Sequence, residues 1–271
     1  MPPARRRLDA ELVRRKIARS REQAVEMIKS GRVFVNGFKA AKPATIVEPE
    51  ASIRVEHAPE DDWASRGAHK LLGALEAFDV SLEGKRVLDA GASTGGFTDV
   101  CLRNGAKEVL SVDVGYGQLL WRLQNDPRVR VFDRTNIRHL DLETIGEPAD
   151  AMVGDLSFIS LKLVLPAIVS CLQPGAFLLP MVKPQFEVGK DRLGQGGVVR
   201  SPQLRAEVTR DIALFAQELG LSCRGVCASP LPGPSGNVEY FLHLVADAAQ
   251  TQPGQAELES MIDKAIKEGP Q

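Results

Sequence analysis

The chain has 271 residues, 44% hydrophobic and 25% charged, which is ordinary globular composition with room for one large domain and one small one. Its net charge of -1 conceals a division: residues 1–42 hold 12 basic and 4 acidic residues, a net of +8, leaving 22 basic and 31 acidic residues, a net of −9, in the rest. The lack of an apolar run of about 18 residues argues against a membrane span, the basic start without an apolar core argues against a secretory signal, and 4 cysteines without a Cys-x-x-Cys pair point to the reducing cytoplasm and away from a structural zinc site.

The basic head comes first. Leu8, Leu12, Val13 and Ile17 fall on one side of a helix predicted over Leu8 to Ile17. Ser20 with Gln23 fits a capping box for a second helix, with Ala24, Met27 and Ile28 as its apolar face and Gly31 as its stop. Val33-Phe34-Val35 followed by Asn36-Gly37 predicts a strand and a tight turn, and Ile46-Val47 and Ile53-Arg54-Val55 predict two more short strands. Arg5, Arg6, Arg7, Arg14, Arg15, Lys16, Arg19 and Arg21 crowd the helix starts and the turn between them. A solvated basic face is one account of them. Two helices, a short sheet and one-sided arginine density favour RNA phosphate binding, with Arg5, Arg7, Arg19, Arg21 and Lys42 as candidate contacts.

The runs Arg-Leu-Asp-Ala-Glu-Leu-Val (7–13), Ala-Arg-Ser-Arg-Glu-Gln-Ala (18–24), Ile28 with Gly31, and Arg-Val-Phe-Val-Asn-Gly (32–37) with Lys42-Pro43 resemble the S4 RNA-binding domain. The resemblance implies a small α+β S4-like domain over residues 1–58. Residues 59–65, with Pro59, three successive acids and Trp63, are expected to be the linker. Trp63 either docks the two domains or simply packs.

A helix is expected to start at Arg66-Gly67-Ala68-His69-Lys70, with Leu71, Leu72, Leu75 and Phe78 among its apolar positions. A lysine in the first turns opposes the helix dipole, so Lys70 is a functional candidate as well as a surface one. Strands are then predicted at 86–89, 108–112, 129–132, 150–154, 176–182, 222–228 and 239–245, and helices at 97–104, 161–172 and 203–219. The alternation describes a doubly wound α/β sheet whose ligand crevice lies at the carboxyl ends of its strands. Asp89, Asp113, Asp155 and Lys183 all fall at such ends.

Arg86 to Thr98 reads as strand, glycine-rich turn and helix start, a nucleotide-type pocket in which free backbone amides face the ligand. About 24 residues after Asp89, Asp113 closes the second strand, where an acid holds a ribose hydroxyl pair. A dinucleotide fingerprint would have glycine at Ser93; the form Asp89-x-Gly91-x-x-x-Gly95-Gly96 instead resembles motif I of S-adenosylmethionine (SAM) methyltransferases. SAM is the expected ligand and NAD the alternative.

Farther on, Pro184 holds Lys183 extended at the end of an apolar strand. Glu187 is either a rim carboxylate or a loop acid. Residues 189–200, with Lys190, Arg192 and Arg200, are either a substrate lid or a plain connection. The turn cluster Pro230 to Asn237 delivers Glu239 to the last strand, where Glu239, Phe241 and His243 share one face, and His243 is read as structural. Cys223 and Cys227 are expected on one strand face, packed in the core. Ala256 to Lys267 is expected to add a terminal helix.

Lys70, Asp155, Lys183 and Glu239 occur in the order of the Lys-Asp-Lys-Glu tetrad of FtsJ-like 2'-O-ribose methyltransferases. With an S4 head, the chain resembles the TlyA (hemolysin A) family of rRNA cytidine-2'-O-methyltransferases. The likeness includes Ser65-Arg-Gly-Ala-His-Lys70, Asp113-Val-Gly-Tyr-Gly-Gln118, Asp155-Leu-Ser-Phe-Ile-Ser160 and Pro232-Gly-Pro-Ser-Gly-Asn-Val-Glu239. It departs in the linker, where Asp61-Asp62 stand in place of an Arg before Trp63. It implies a Rossmann-like, seven-stranded SAM-dependent methyltransferase domain over 66–271, with SAM held by Asp89, Gly91, Ser93, Gly95, Gly96, Phe97, Asp113 and Asn136, no metal, and ribosomal RNA or ribosomal subunits as partner. Lys183 is the expected base or, if charged, the group that steers the hydroxyl; Asp155 would orient it and Glu239 would hold Lys70 or the ribose. Two rivals remain. A membrane-active hemolysin would need a spanning helix or a broad apolar face, and a Rossmann oxidoreductase is opposed by Ser93 and the tetrad.

Overall fold

The head builds its own core. β1 (Arg6–Arg7) leads into α1 (Leu8–Arg14), in which Leu8 and Leu12 lie one turn apart and are fully buried. The helix stops three residues short of the predicted end. Lys16 is left-handed at φ 58°, and the amides of Ile17 and Ala18 both turn back to the Leu12 carbonyl. In α2 (Arg21–Lys29) the Ser20 hydroxyl accepts from the Gln23 amide at 3.2 Å, and Gly31, at φ 72°, lies just beyond the end. β2 (Val33–Val35) turns through Asn36 and Gly37, both at positive φ, into β3 (Phe38–Lys39). β4 (Ile46–Val47) pairs with β1, and β5 (Ile53–Val55) pairs with the free side of β2. The β1 pairing had no sequence signal, since two arginines show no apolar alternation.

The computed structural model describes residues 5–18, 20–56, 63–246 and 252–270, and the chain divides into two units, Met1–Asp62 and Trp63–Gln271. The linker acids Asp61 and Asp62, and Arg19, lie outside the described residues.

The body begins with α3 (Gly67–Phe78), then alternates β6 (Arg86–Ala90), α4 (Gly96–Arg103), β7 (Glu108–Val112), the short α5 (Trp121–Gln124) and β8 (Val129–Phe132). After α6 (Leu142–Ile145) come β9 (Ala149–Gly154), α7 (Leu165–Ser170), β10 (Leu172–Val182), α8 (Pro184–Glu187), α9 (Pro202–Glu218), β11 (Ser222–Ala228), β12 (Tyr240–Val245) and α10 (Gln255–Glu268). The seven strands lie in the order β11-β12-β10-β9-β6-β7-β8, and β12 runs antiparallel to both of its neighbours.

Both faces are covered, and the strand residues alternate between two cores. Val87, Val109 and Val153 pack with α3 and α4, whereas Leu88, Leu110 and Met152 pack with α7, α9 and α10. Two-sided burial is why these strands read as continuous apolar runs.

Two expectations fail locally. The helix predicted over 161–172 is a 3-10 turn, Leu161–Leu163, followed by α7, because Pro166 lacks the amide that would bond back to residue 162. Cys223 and Cys227 do not share a face. The β11 register shifts between Cys223 and Gly225, so Cys223 packs in one core and Cys227 against the other.

From β6 the chain winds outward through β7 to β8, then returns to β9 on the other side of β6. That reversal opens a crevice at the carboxyl ends of β6 and β9, where open α/β sheets bind ligands.

Candidate active site

A cavity of about 600 Å³ occupies this crevice. Three sources line it: Ser65 to Gly67 and Lys70 at the start of α3, Gly91 to Thr94 with Gly96 and Phe97 after β6, and Asp155, Ser157 and Lys183 after β9 and β10, with the 231–236 turn closing one side.

The β6–α4 turn is shaped by close approach. Gly91 is at φ 86°, and a Cβ there would stand 3.1 Å from the Asp155 carbonyl oxygen; Gly95, at φ 97°, is the N-cap of α4. The N-cap Gly95 has no side chain to cap α4, and with the Thr98 amide turned to Asp89, the amides of Gly96 and Phe97 are the ones offered to a ligand. Ser93, left-handed at φ 48°, donates its amide to Asp113 Oδ2 at 2.8 Å, while Asp113 Oδ1 accepts from Gly115 N at 2.7 Å. Asp113 is thus fixed beside the turn without lining the cavity.

Asp89 also lies behind the cavity wall. It is fully buried, accepts from Thr98 Oγ1 at 2.6 Å, and clamps the first turn of α4 against β6. Burial pushes its carboxyl up to about 7, with the charges of Asp155 and Asp113 adding to the rise and the Thr98 hydrogen bond opposing it. Asn136 is exposed, and its side chain caps the 3-10 turn Ile137–His139 by accepting from Arg138 N. Asp89 and Asn136 therefore stand apart from the cavity lining, while Gly91, Ser93, Gly96 and Phe97 form it and Gly95 supports it.

The four charged candidates converge. Lys70, buried on the second turn of α3, places Nζ 2.5 Å from Glu239 Oε2 and 4.0 Å from Asp155 Oδ2. Lys183 Nζ lies 2.5 Å from Asp155 Oδ1 and donates to Ser157 Oγ at 2.7 Å. Glu239 is 1% exposed and also accepts from Gln185 Nε2 at 3.4 Å. Two cations and two anions compensate one another in a site partly closed to water, where unpaired charge would be costly.

Other side chains take different places from those expected. Glu187 is neither a rim acid nor a free loop acid. It accepts from Ser160 Oγ at 2.6 Å and Leu161 N at 2.9 Å, and burial raises its carboxyl above the usual range. The 189–200 loop is tied down by Asn237, which accepts from Val199 N and donates to Gly197 O, both at 2.9 Å. His243 sits between the rings of Phe78 and Phe177, and burial lowers its pKa. Trp63 packs within the body, under the Arg103 guanidinium at 4.3 Å.

Sequence reasoning passed over Ser157 and Phe158. Phe158, the residue after the cavity-lining Ser157, is 90% exposed, held at φ 64°, and its ring meets Phe186 at 5.1 Å. An exposed aromatic in the left-handed region is a strained arrangement that clusters at functional sites. The available signal was their place in the Asp155-Leu-Ser-Phe-Ile-Ser160 run.

In the head, the basic candidates are partly engaged. Arg7 donates to Asp9 through Nε at 3.1 Å and Nη2 at 2.9 Å, and Arg21 Nη2 donates to the same carboxylate at 3.0 Å. These bonds hold Asp9 far below the usual carboxylate range, the Arg7 bond first. Arg14, then Arg15, hold Glu11 down to about 2. Arg15 also donates to the carbonyls of Pro49 and Ala51, at 2.7 Å each, so it braces the head internally. Arg5 pairs with Glu48 at 2.6 Å, and Lys42 is exposed. The side chains of Arg5, Arg7 and Arg21 remain 72%, 48% and 61% exposed, enough to present unused donors outward.

Fold, crevice and charge cluster together define a methyltransferase of the FtsJ-like class carrying an S4 domain: residues 63–246 match the FtsJ-like methyltransferase family, and residues 6–53 match the S4 domain. The chain is 57% identical, across 98% of its own length and 99% of the relative's, to the 16S/23S rRNA (cytidine-2'-O)-methyltransferase TlyA of Mycobacterium tuberculosis. It is 31% identical, across 83% and 94%, to the 23S rRNA (cytidine-2'-O)-methyltransferase TlyA of Campylobacter jejuni. A solved structure from Streptococcus thermophilus described as a hemolysin superposes with a TM-score of 0.74 at 35% identity, covering 99% of this chain and 97% of the other. The chain belongs to the TlyA family of FtsJ-like methyltransferases. Among its described residues, no helix is long and apolar enough to cross a membrane.

Proposed function

We propose that this protein transfers a methyl group from SAM to the 2'-hydroxyl of a cytidine in ribosomal RNA. One observation carries the reading: Lys70, Asp155 and Lys183, drawn from three separate segments, line one cavity beside a glycine-rich turn, and the buried Glu239 joins them from behind its wall through Lys70. The activities named for the Mycobacterium and Campylobacter relatives give the substrate class. On this reading residues 1–58 hold RNA, 59–65 link, and 66–271 carry the chemistry.

The donor set fits SAM. The uncapped amides of α4 suit a carboxylate, the small residues at 91–96 allow close approach, and Asp113, its two oxygens each anchored by a backbone amide, keeps lone pairs for a ribose diol. A volume of about 600 Å³ is of the size that holds a ligand of this class. When bound, SAM supplies an electrophilic methyl group on a sulfonium.

The protein's part is positioning and charge. Lys183 faces the acceptor hydroxyl. Its close pairing with the Asp155 carboxylate supports an ammonium that orients the oxygen rather than a neutral amine acting as base. An oxygen that has gained a methyl group while keeping its proton is a strong acid, so the proton leaves readily to Asp155 or water. Glu239 holds Lys70, which keeps Asp155 between two cations. Phe158 offers its exposed ring as a stacking surface for the target base.

Methyl transfer from radiolabelled SAM to rRNA tests the reading, together with mapping of ribose methylation in cells with and without the protein. Lys183→Ala is expected to lose at least about 100-fold in rate, the cost of removing one preorganised donor, while keeping its SAM affinity. Unchanged ribose methylation on deletion, binding of NAD in place of SAM, or normal turnover by Lys183→Ala would overturn it.

A further inference from the structure

We infer that Ser157 is a positioning residue for Lys183, setting the direction in which the lysine addresses the acceptor hydroxyl. The inference rests on the reading that Lys183 acts on that hydroxyl.

The argument starts from the geometry of an ammonium group. A lysine side chain has four rotatable carbon–carbon bonds, a fifth bond that spins the ammonium, and three tetrahedral N–H donors. An ion pair alone fixes distance, but fixes direction poorly. At Lys183 the Asp155 Oδ1 contact at 2.5 Å is an ion pair without hydrogen-bond geometry, and the directed bond is the donation to Ser157 Oγ at 2.7 Å. With distance set by the ion pair and one vertex of the tetrahedron pinned by Ser157, the remaining N–H donors are confined to a narrow set of directions. Both partners line the cavity, as Lys183 does.

The backbone is built to bring Ser157 there. Asp155 follows β9 directly, and the next three residues reverse the chain through Phe158 at φ 64°. The Phe158 ring then packs on Phe186, three residues after Lys183, so the loop after β9 is fastened to α8 on the far side of the lysine. Strain at Phe158 is thereby coupled to the placing of its neighbour Ser157. The two serines of this loop have separate tasks: Ser160 spends its hydroxyl on Glu187, whereas among the described residues Ser157 Oγ has Lys183 as its only partner. Ser157 accepts from the lysine, so its own hydrogen stays available to a ligand oxygen in the cavity.

Full-length Ser157→Ala, Ser157→Thr and Lys183→Ala proteins separate the possibilities, with turnover and KM measured on rRNA, SAM affinity by calorimetry, and folding by thermal melt. Ser157 is an exposed residue, so either substitution leaves the fold intact. Ser157→Ala is expected to lower kcat by about 10- to 100-fold, the size of one hydrogen bond to a charged group, with KM and SAM affinity held. Ser157→Thr, which keeps the hydroxyl, is expected to recover most of that loss. An alanine variant with normal kcat overturns the inference, and so does a threonine variant as slow as the alanine one. If Lys183→Ala itself turns over normally, the assignment of Lys183 fails first; if it is inactive and Ser157→Ala is normal, only the role of Ser157 fails.

Discussion

The buried pair of Lys70 and Glu239 makes a quantitative test of how the site is held together. The side chains are 10% and 1% exposed and their charged atoms are 2.5 Å apart. Removing one partner of such a pair costs about 3–5 kcal/mol, because the other charge is left buried. The surroundings predict an asymmetry. In Glu239→Gln the stranded Lys70 still has Asp155 at 4.0 Å, so the cost falls at the lower end, about 3 kcal/mol. In Lys70→Met the stranded Glu239 keeps only the long contact from Gln185, so the cost reaches about 4–5 kcal/mol. The double variant Lys70→Met/Glu239→Gln buries no charge from the pair and should recover most of the stability while staying inactive. Urea unfolding followed by tryptophan fluorescence reports on the body alone, since the 2 tryptophans, Trp63 and Trp121, both belong to it. At about 2–4 °C per kcal/mol for a unit of this size, Lys70→Met should also melt on the order of 10 °C early. A double variant no more stable than the worse single one would refute the reasoning, as would two single variants that cost nothing.

Asp89 gives a pH prediction. Its folded value of about 7 lies above the ordinary carboxylate range, so the folded state binds its proton more tightly than the unfolded state. Its contribution is therefore fully present below about pH 4 and is lost as the pH rises through 7, an amount on the order of 4 kcal/mol; Asp89→Asn should flatten that stretch of the stability–pH curve, and an unchanged slope in denaturation between pH 5 and 8 would contradict it. Phe158→Ala should raise KM for rRNA or lower turnover without weakening SAM binding, while alanine, which keeps its Cβ, leaves the backbone strain at φ 64° in place; a loss of SAM affinity instead would place the ring elsewhere in function. In the head, Arg7→Ala or Arg21→Ala should reduce the slope of log affinity for rRNA against log salt by about one unit per lost phosphate contact, and equal slopes would mean that the arginines serve only Asp9.

The sheet was legible because its chemistry is repetitive. β7, β8 and β11 begin and end at the predicted residues, and the central strands β6, β9 and β10, covered on both faces, are largely apolar. The break at Pro166 was also written in the sequence; the apolar period on either side of it masked the missing amide. β1 was not legible, since two arginines form a strand only because Ile46 and Val47 offer them a partner. The arginines of the head show the same limit. Counting them gives a charge, but which of them face outward depends on Asp9 and Glu11, whose burial no count reveals.

The site divides along the same line. Lys70 and Glu239 are 169 positions apart and bond only because α3 and the end of the 230–237 turn meet over one edge of the sheet. Sequence indicated them through position, a lysine misplaced against a helix dipole and an acid delivered by a dense turn, and through the order they share with the Lys-Asp-Lys-Glu tetrad. Ser157 carries no such mark. A serine in a loop is chemically ordinary, and its tie to Lys183, 26 positions away, exists because β9 and β10 are adjacent parallel strands whose ends must lie side by side. Parallel pairing is thus what turns two separate strand ends into one charged pair with a hydroxyl beside it. On the proposed role of Lys183, the sheet sets where that lysine and its partners meet, and a substitution that shifts β10 against β9 should disturb catalysis without touching a single residue of the cavity.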